Sequence, residues 1–322
     1  MPAAEGWLKR AFTPVTATRY FEWPTPDAGT SYRLWLNADE LVTVTTLTAG
    51  GVTIPSTDYF LEPNTTGPPY NRIEIDLASS SAFGGGSTRQ RSIGITGVWC
   101  GCPLDTTPAG SLAEALDATE VGVDVTDSSA VGVGSVLVCE SERMLVTGKT
   151  MLTTGSTATL GALNTDQTLT PSLGVTGFVV GETLLLDSER VSVTDVTATT
   201  LIVKRAWDGT TLAAHTAATV YAPRTLTVAR GALGTNTATH ATSTALTVHV
   251  IPGPVRSLAV AEAIVQLQRE GAGYASTSRG RTVGSSGDGS GSSGAQSTTT
   301  PLDDFRGAAM TSHGRQIRVR AV

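Results

Sequence analysis

The stretch that decides the fold is Val180–His215, VGETLLLDSERVSVTDVTATTLIVKRAWDGTTLAAH. A mostly apolar run of strand length, 183–187, is followed by a polar Ser-Glu-Arg turn and then by alternating apolar and polar residues. A second β-branched run, 199–205, leads to Asp208-Gly209, a dipeptide typical of tight turns. The stretch therefore predicts a compact unit of β-hairpins.

The same pattern is present on both sides of this stretch. Val133–Thr147, VGSVLVCESERMLVT, matches Val180–Thr194 without a gap at an offset of 47 residues. Leu226–His240, LTVARGALGTNTATH, repeats Leu201–His215 at an offset of 25 residues. A repeat of β-hairpins indicates architecture before it indicates chemistry.

The composition agrees with a β protein of more than one domain. The chain has 322 residues, which is more than one hydrophobic core usually serves. Only 16% of the residues are charged and 5% aromatic, and the remainder is rich in Thr, Val, Ala, Gly and Ser. We predict a mainly β fold with a C-terminal α-helix. The expected order is an N-terminal β domain, repeated β-hairpin modules, a connector helix and an extended C-terminal arm.

The expected boundaries follow changes in pattern along the chain. They are an N-terminal β domain at 1–104, a β-repeat region at 105–252, a helix at 253–274, a Gly/Ser-rich linker at 275–300 and an arm at 301–322. The repeat region divides into units at about 121–170, 171–222 and 223–252. Within it, residues 105–120 predict a short helix, because Ser111 and Glu114 have the spacing of a capping box.

The connector helix is the strongest helical pattern in the chain. Pro254 suits the first turn, Gly271 suits the end, and Val255–Glu270 between them has a broad apolar face. A face of this width predicts contact with another subunit or a partner protein. Its candidate interface residues are Val255, Leu258, Ala261, Ile264, Val265 and Leu267.

The last segment predicts a tethered arm that docks on a partner. Phe305 offers an apolar anchor, and residues 315–322, RQIRVRAV, alternate basic and apolar side chains as a strand does. Such a strand could add to the open sheet edge of a neighbour. The candidate interface residues of the arm are Phe305, Arg315, Ile317, Arg318, Val319 and Arg320.

Charge and cysteine content exclude several classes of protein. The net charge of −6 argues against a general nucleic-acid binder, which needs clustered Lys and Arg. Cys100, Cys102 and Cys139 form no disulfide framework, so buried free thiols in a reducing cytosol are expected. No signal-peptide core and no membrane-spanning run is apparent, so we expect a protein that is made in the cytoplasm and does not enter a membrane.

The polar motifs point to structure rather than catalysis. Ser141-Glu142-Arg143 and Ser188-Glu189-Arg190 are interpreted as turn ion pairs on the surface. His215 and His240 could meet a metal only if the repeats stacked in register, and Asp303-Asp304 is interpreted as a solvated or Arg-paired patch. We therefore predict no catalytic residues, no metal and no cofactor. Trp35, Trp207 and Tyr221 leave open an alternative function in sugar stacking.

Taken together, the motifs resemble the head-to-tail connector (adaptor) proteins of tailed bacteriophages, of the actinobacteriophage type. The residues that carry the resemblance are LVTVTTLTAGGVTI, DYFLEP, PPYNRIEI and SIGITGVW in the opening domain, VGVGSVLVCESERMLVTGK, VGETLLLDSERVSVTD, IVKRAWDGTTLAAHT and YAPRTLTVARGALGT in the repeats, and PGPVRSLAVAEAIVQLQREGAGYAST at the helix. They cover nearly all of residues 19–276.

The resemblance implies a structural protein at the head–tail junction of a virion, assembled in the host cytoplasm. It implies a homo-oligomeric ring, typically a dodecamer, beneath the portal protein, which receives the next connector, a stopper or a tail protein below. The lumen would pass DNA without sequence-specific binding. The repeat region is a departure, because the smaller helical adaptors lack it. The alternative is a phage tail or baseplate protein whose β modules bind glycans.

Overall fold

The computed structural model describes residues 2–23, 31–84, 86–271 and 301–314. The fold is mainly β, with 41% strand, 16% helix, several sheets and a C-terminal helix, which confirms the predicted class. The chain forms two compact units. Unit 1 comprises Met1–Pro14, Thr18–Pro103 and Ile251–Val322, and unit 2 comprises Val15–Ala17 and Leu104–Val250.

Before residue 104, the described residues form one α-helix and seven strands. They are α1 (Pro2–Leu8), β1 (Val15–Phe21), β2 (Arg33–Trp35), β3 (Leu41–Ala49), β4 (Val52–Ile54), β5 (Tyr59–Glu62), β6 (Arg72–Ile75) and β7 (Ile93–Trp99). The strands form two sheets in the orders β1-β7-β3-β4 and β2-β6-β5. This part of the chain is thus mainly strand, with a short helix at its start.

Strand β7 shows how the sequence fixes the first sheet. Ile93, Ile95 and Trp99 alternate along the strand and are all buried. At Gly97 a Cβ atom would lie 2.0 Å from the carbonyl oxygen of Thr43, close to where the register between β3 and β7 shifts. Only glycine permits this close approach of the two backbones.

Unit 2 is one large sheet. Its strands are β8 (Thr106–Ser111), β9 (Gly122–Asp124), β10 (Val136–Cys139), β11 (Glu142–Leu160), β12 (Thr168–Leu169), β13 (Thr183–Leu186), β14 (Glu189–Val196), β15 (Leu201–Lys204), β16 (His215–Ala229) and β17 (Ala245–His249). The order is β12-β15-β14-β13-β16-β11-β10-β17-β8, and β9 pairs with β16.

Two modules of the same topology are nested in this sheet. In the inner module, the hairpin β13–β14 lies between β15, which pairs with β14, and the first part of β16, which pairs with β13. In the outer module, the hairpin β10–β11 lies between the second part of β16, which pairs with β11, and β17, which pairs with β10. Strand β11 leads into the inner module and β16 returns from it, so the inner module is inserted into the outer one.

Nesting explains the two different sequence offsets. The strand pairing joins residues of the first and third expected units, 121–170 and 223–252, into the outer module, and the inner module lies between them. Each module has its own hydrophobic cluster. Equivalent members of the two clusters are Leu137 and Leu184, Cys139 and Leu186, Met144 and Val191, Val146 and Val193, Leu226 and Leu201, and Val228 and Val203.

Backbone hydrogen bonds repeat with the same offsets. The amide of Gly134 donates to Val146 at 2.8 Å, and the amide of Gly181 donates to Val193 at 2.8 Å. The two glycines have φ values of 89° and 88°, a conformation that favours glycine. The two hairpins are therefore copies in backbone geometry as well as in sequence.

The helix predicted at 105–120 is not present. Residues 106–111 form β8, and Leu112 and Leu116 make isolated bridges to Val125 and His240. Both leucines are buried, whereas Glu114 is exposed and does not cap a helix. Burial of the two leucines by distant strands outweighs the local capping-box pattern.

After residue 250 the described residues are helical. Helix α2 (Gly253–Gly271) matches the predicted connector helix, and α3 (Pro301–His313) lies within the predicted extended arm, so that prediction is wrong for residues 301–313. Proline at the first position and Asp303 and Asp304 in the first turn favour a helix start. The predicted strand at 315–322 and the linker at 275–300 lie outside the described residues.

Candidate functional site

Helix α2 has apolar side chains on two faces. Val255 and Leu258 are fully buried within unit 1. On the opposite face, Val260, Ile264 and Leu267 follow the i, i+4, i+7 spacing and are 52%, 49% and 67% exposed. We call these three residues the α2 stripe. One face of the helix thus anchors it to its own chain, and the other presents a contiguous apolar surface.

Helix α3 packs on α2 and α1. Arg306 of α3 forms an ion pair with Glu262 of α2 at 2.8 Å, and its guanidinium lies 4.2 Å from the ring centroid of Trp7 in α1. At the end of α3, burial and the neighbouring Arg10 lower the pKa of His313. Arg10 also donates to the His313 carbonyl oxygen at 2.9 Å. These contacts hold α3 in place, so the segment after the linker is anchored to unit 1.

The predicted interface residues fall into four groups. Val255 and Leu258 belong to the core of unit 1, and Ala261 and Val265 are half-buried. Ile264, Leu267 and Phe305 are exposed, Phe305 by 44%. The remaining five, Arg315, Ile317, Arg318, Val319 and Arg320, lie outside the described residues. Among the described residues, Val260 was missed, although its position four residues before Ile264 indicated the same face.

The inner module contains a buried ionic cluster that sequence analysis did not predict. Arg205 donates to Glu189 twice, from Nε and from Nη2, at 2.8 Å each. The backbone amides of Ala206 and Ala213 donate to the same carboxylate at 2.8 and 3.0 Å. His215 Nε2 lies 3.0 Å from Glu189 Oε2. The side chains of Arg205 and Glu189 have no exposed surface.

The same cluster is present in the outer module. Arg230 donates to Glu142 from Nε and Nη2 at 2.7 and 2.8 Å, and the amides of Gly231 and Ala238 donate at 2.9 and 3.1 Å. His240 Nε2 lies 2.9 Å from the carboxylate. Every contact of the inner cluster thus has an equivalent in the outer cluster.

Each arginine also fixes the backbone around the cluster. Nη1 of Arg205 donates to the carbonyl oxygens of Gly161, Leu163 and Asp166 at 3.0, 3.3 and 3.1 Å. Nη1 of Arg230 donates to those of Asp117 and Glu120 at 2.7 and 3.0 Å. The guanidinium therefore links a preceding loop to the module by hydrogen bonds, and this explains why an arginine is buried there.

Electrostatics show that both carboxylates are ionised. Burial alone would raise the pKa of Glu189, but hydrogen bonds from Arg205, Ala206, Ala213 and His215 outweigh it and lower the pKa to about 2. The pKa of Glu142 is lowered to about 2 by the equivalent groups. The prediction that these glutamates form surface turn pairs is wrong, because both are fully buried.

Each of the two histidines contacts a second carboxylate as well. His215 Nδ1 lies 2.8 Å from Asp187 Oδ2, and His240 Nδ1 lies 2.9 Å from Glu140 Oε2. Each ring thus joins a buried carboxylate to an exposed one, since Asp187 and Glu140 are 64% and 63% exposed. With the carboxylates occupied by fixed donors, the clusters serve to lock the loops that follow the arginines.

Two of the three aromatic residues considered for sugar stacking, Trp35 and Trp207, contact cations. In unit 1, the guanidinium of Arg72 lies 5.2 Å from the ring centroid of Trp35. In unit 2, Lys204 Nζ lies 4.8 Å from that of Trp207, which is 37% exposed. Cys100, Cys102 and Cys139 are buried and are not joined in a disulfide.

Comparison with known proteins gives no relative. A scan against protein-family models, a search of curated proteins and a search of solved structures each found no match. Within the described ranges, none of the helices has both the length and the apolar character that crossing a bilayer requires.

Proposed function

We propose that this chain is a structural protein of a tailed-phage virion, a head–tail connector that assembles as a ring between the portal and the next connector or tail protein. The observation that carries the proposal is the α2 stripe, which is apolar and exposed on a helix whose opposite face is already buried. Exposed contiguous apolar surface on an anchored helix is typical of a protein–protein interface.

The order of elements supports the same proposal. The β strands before residue 104, the modules and helix α2 are the elements that carry the resemblance to connector proteins, and the modules are a departure from the smaller helical adaptors. The duplicated clusters lock loops by saturated hydrogen bonds, which suits a rigid element of an assembly. The net charge of −6 suits a lumen through which DNA passes without binding.

Substitution of the α2 stripe tests the proposal. Leu267→Asp places a charge in the stripe, and Leu77→Asp places the same charge at a leucine of unit 1 that is 74% exposed. We expect Leu267→Asp to reduce the fraction of full heads that carry tails by roughly tenfold or more, because a buried interface charge is costly. Leu77→Asp should leave that fraction unchanged. The count is made by negative-stain electron microscopy of particles assembled with each variant.

The result separates the connector from its alternatives. Particles that join tails normally with Leu267→Asp would contradict the proposed interface. Binding of an oligosaccharide that is lost in Trp207→Ala would instead favour the tail or baseplate protein. Circular dichroism of each variant confirms that the fold is retained.

A further inference from the structure

Two of the three cysteines form a pair at the end of strand β7 in unit 1. Cys100 and Cys102 follow the strand directly, and one glycine separates them. Their Sγ atoms lie 3.5 Å apart, and each residue is only 2% exposed. The pair therefore offers two soft ligand atoms, in contact with each other, at one buried point.

The backbone around the pair holds the two thiols in this arrangement. The amide of Cys100 donates to the Glu40 carbonyl oxygen at 3.0 Å, and the amide of Gly101 donates to that of Ala11 at 2.6 Å. A Cβ atom built on Gly101 would lie 2.9 Å from the Ala11 oxygen and 2.9 Å from Glu40 Oε2. Two segments of unit 1 thus close on the glycine, and this contact fixes the cysteines on either side of it.

The third cysteine differs, because it only fills space. Cys139 belongs to the hydrophobic cluster of the outer module, where its equivalent in the inner module is Leu186. Burial and the carboxylates of Glu140 and Glu142 raise the pKa of the Cys139 thiol to about 11. This thiol keeps its proton at neutral pH, so it is a poor metal ligand and provides a control for the pair.

The distance between the paired sulfur atoms indicates the class of ion that fits them. Zn²⁺ binds thiolates at about 2.3 Å in tetrahedral geometry, which separates two sulfur ligands by about 3.8 Å. A linear site for a monovalent soft ion would separate them by twice the metal–sulfur bond length. The observed 3.5 Å is close to the tetrahedral distance, so a small shift of the side chains is enough to receive zinc.

We propose that Cys100 and Cys102 bind a Zn²⁺ ion as thiolates, in a structural site of unit 1. Each thiol gives its proton to the solvent as the zinc–sulfur bond forms, and the two thiolates neutralise the ion, which permits its burial. Nitrogen or oxygen donors take the other two positions. The ion fixes the turn around Gly101 and the two segments that contact it. The inference is independent of the proposed function and revises the expectation that the chain binds no metal.

Zinc content and X-ray absorption of the full chain test the site without any substitution. The chain is reduced, stripped of metal with a chelator, incubated with Zn²⁺ and passed through a gel-filtration column. We expect one zinc ion per chain, with two sulfur neighbours at about 2.3 Å and two lighter neighbours. Absence of bound zinc, or zinc with fewer than two sulfur neighbours, would overturn the proposal.

Cysteine variants assign the sulfur atoms to residues. Cys100→Ser and Cys102→Ser should each lower the zinc affinity by more than about 100-fold, since loss of an outer-shell partner alone costs about 10–100-fold. Cys139→Ala is the matched control and should keep the affinity of the native chain. Equal affinities in all three variants would show that zinc binds elsewhere. If a serine variant does not fold, as circular dichroism reports, the sulfur count in the native chain decides.

Hydrogen exchange tests the structural role of the ion. Zinc stabilises what it binds, so it should slow amide exchange in peptides that cover residues 97–103. Peptides from β10, which contain Cys139, should exchange at the same rate with and without zinc. Zinc that binds without slowing exchange at 97–103 would contradict a structural site at the pair.

Discussion

The inner and outer modules carry the same buried cluster beneath different surfaces. In both, a glutamate accepts two hydrogen bonds from one arginine and one from each of two backbone amides, and it also contacts a histidine. Equivalent distances in the two modules agree within a few tenths of an ångström. At the loop surface the modules differ. Thr16 lies against the outer loop, Arg230–His240, whereas no described residue lies within 4 Å of a Cβ atom built on Gly209 in the inner loop, Arg205–His215. The comparison indicates that the cluster belongs to the module fold, whereas the surroundings of the loop differ from one module to the other.

The largest expected effect comes from neutralising the buried glutamates. Glu189→Gln and Glu142→Gln each leave a buried arginine without its counter-charge, so we expect each to lower the free energy of unfolding by about 3–5 kcal/mol. Hydrogen exchange measured by mass spectrometry, with peptides from β14 and β10, assigns the loss to one module or the other. Glu114→Gln, at an exposed glutamate, is the matched control and should change stability by less than about 0.5 kcal/mol. A loss below about 1 kcal/mol in Glu189→Gln would contradict the buried cluster and favour a surface pair.

The pH dependence of the modules follows from the same two groups. Each glutamate has its pKa lowered in the folded chain to about 2 from a usual value of 4.5. Each therefore contributes stability, about 3 kcal/mol, that is fully present above pH 4.5 and is lost as the pH falls towards 2. Urea midpoints at pH 7, 4 and 3 should fall steeply for the native chain and less steeply for the double variant Glu142→Gln/Glu189→Gln. Parallel slopes in the two proteins would show that other groups dominate.

The hairpins and α2 could be predicted from the sequence, whereas the buried clusters could not, because they depend on contacts between distant residues. The hairpins and α2 were predicted correctly because their signals are local, namely alternation, a turn and an uninterrupted apolar face. The burial of Glu142 could not be found locally, because Arg230 lies 88 residues away and comes into contact only through nesting. One signal was available, since arginine, threonine and histidine recur with the 25-residue offset just as the glutamate recurs with the 47-residue offset.

The two wrong secondary-structure predictions have opposite causes. At 105–120 a local helix pattern is overridden by the pairing of Leu112 and Leu116 with distant residues. At 301–313 the local pattern is itself helical, because Pro301, Asp303 and Asp304 mark a helix start, and only the residues after 314 alternate as in a strand. The candidate interface was predicted as one broad face, and packing of α2 against its own chain divides it into a buried and an exposed part.

The two loop glycines provide a sharper comparison, because they differ only in what lies against them. Gly209→Ala costs the strain of a positive φ, about 1 kcal/mol, since its φ is 74° and its surroundings are open. Gly234→Ala, at a φ of 79°, adds a clash with the Thr16 carbonyl oxygen, and we expect a total of about 2 kcal/mol. The free energy of unfolding from urea titration gives both values, and exchange of the Val15–Ala17 amides should increase only in Gly234→Ala. Equal costs at the two positions would mean that Thr16 does not rest on the outer loop.

The smallest effects are expected at the two equivalent arginines of the hairpin turns. Arg143 donates to Thr16 from a half-buried position, so Arg143→Ala should cost about 1 kcal/mol, the usual value of such a hydrogen bond. Arg190 pairs with Asp208 in solvent, and exposed pairs of this kind contribute about 0–0.5 kcal/mol, so Arg190→Ala should scarcely change the urea midpoint. The backbone amides of both residues bond to a loop threonine, which the substitution leaves in place, and this makes the two variants comparable. A loss in Arg190→Ala as large as that in Arg143→Ala would show that the inner loop is already held within the chain, and the two modules would then differ in sequence alone.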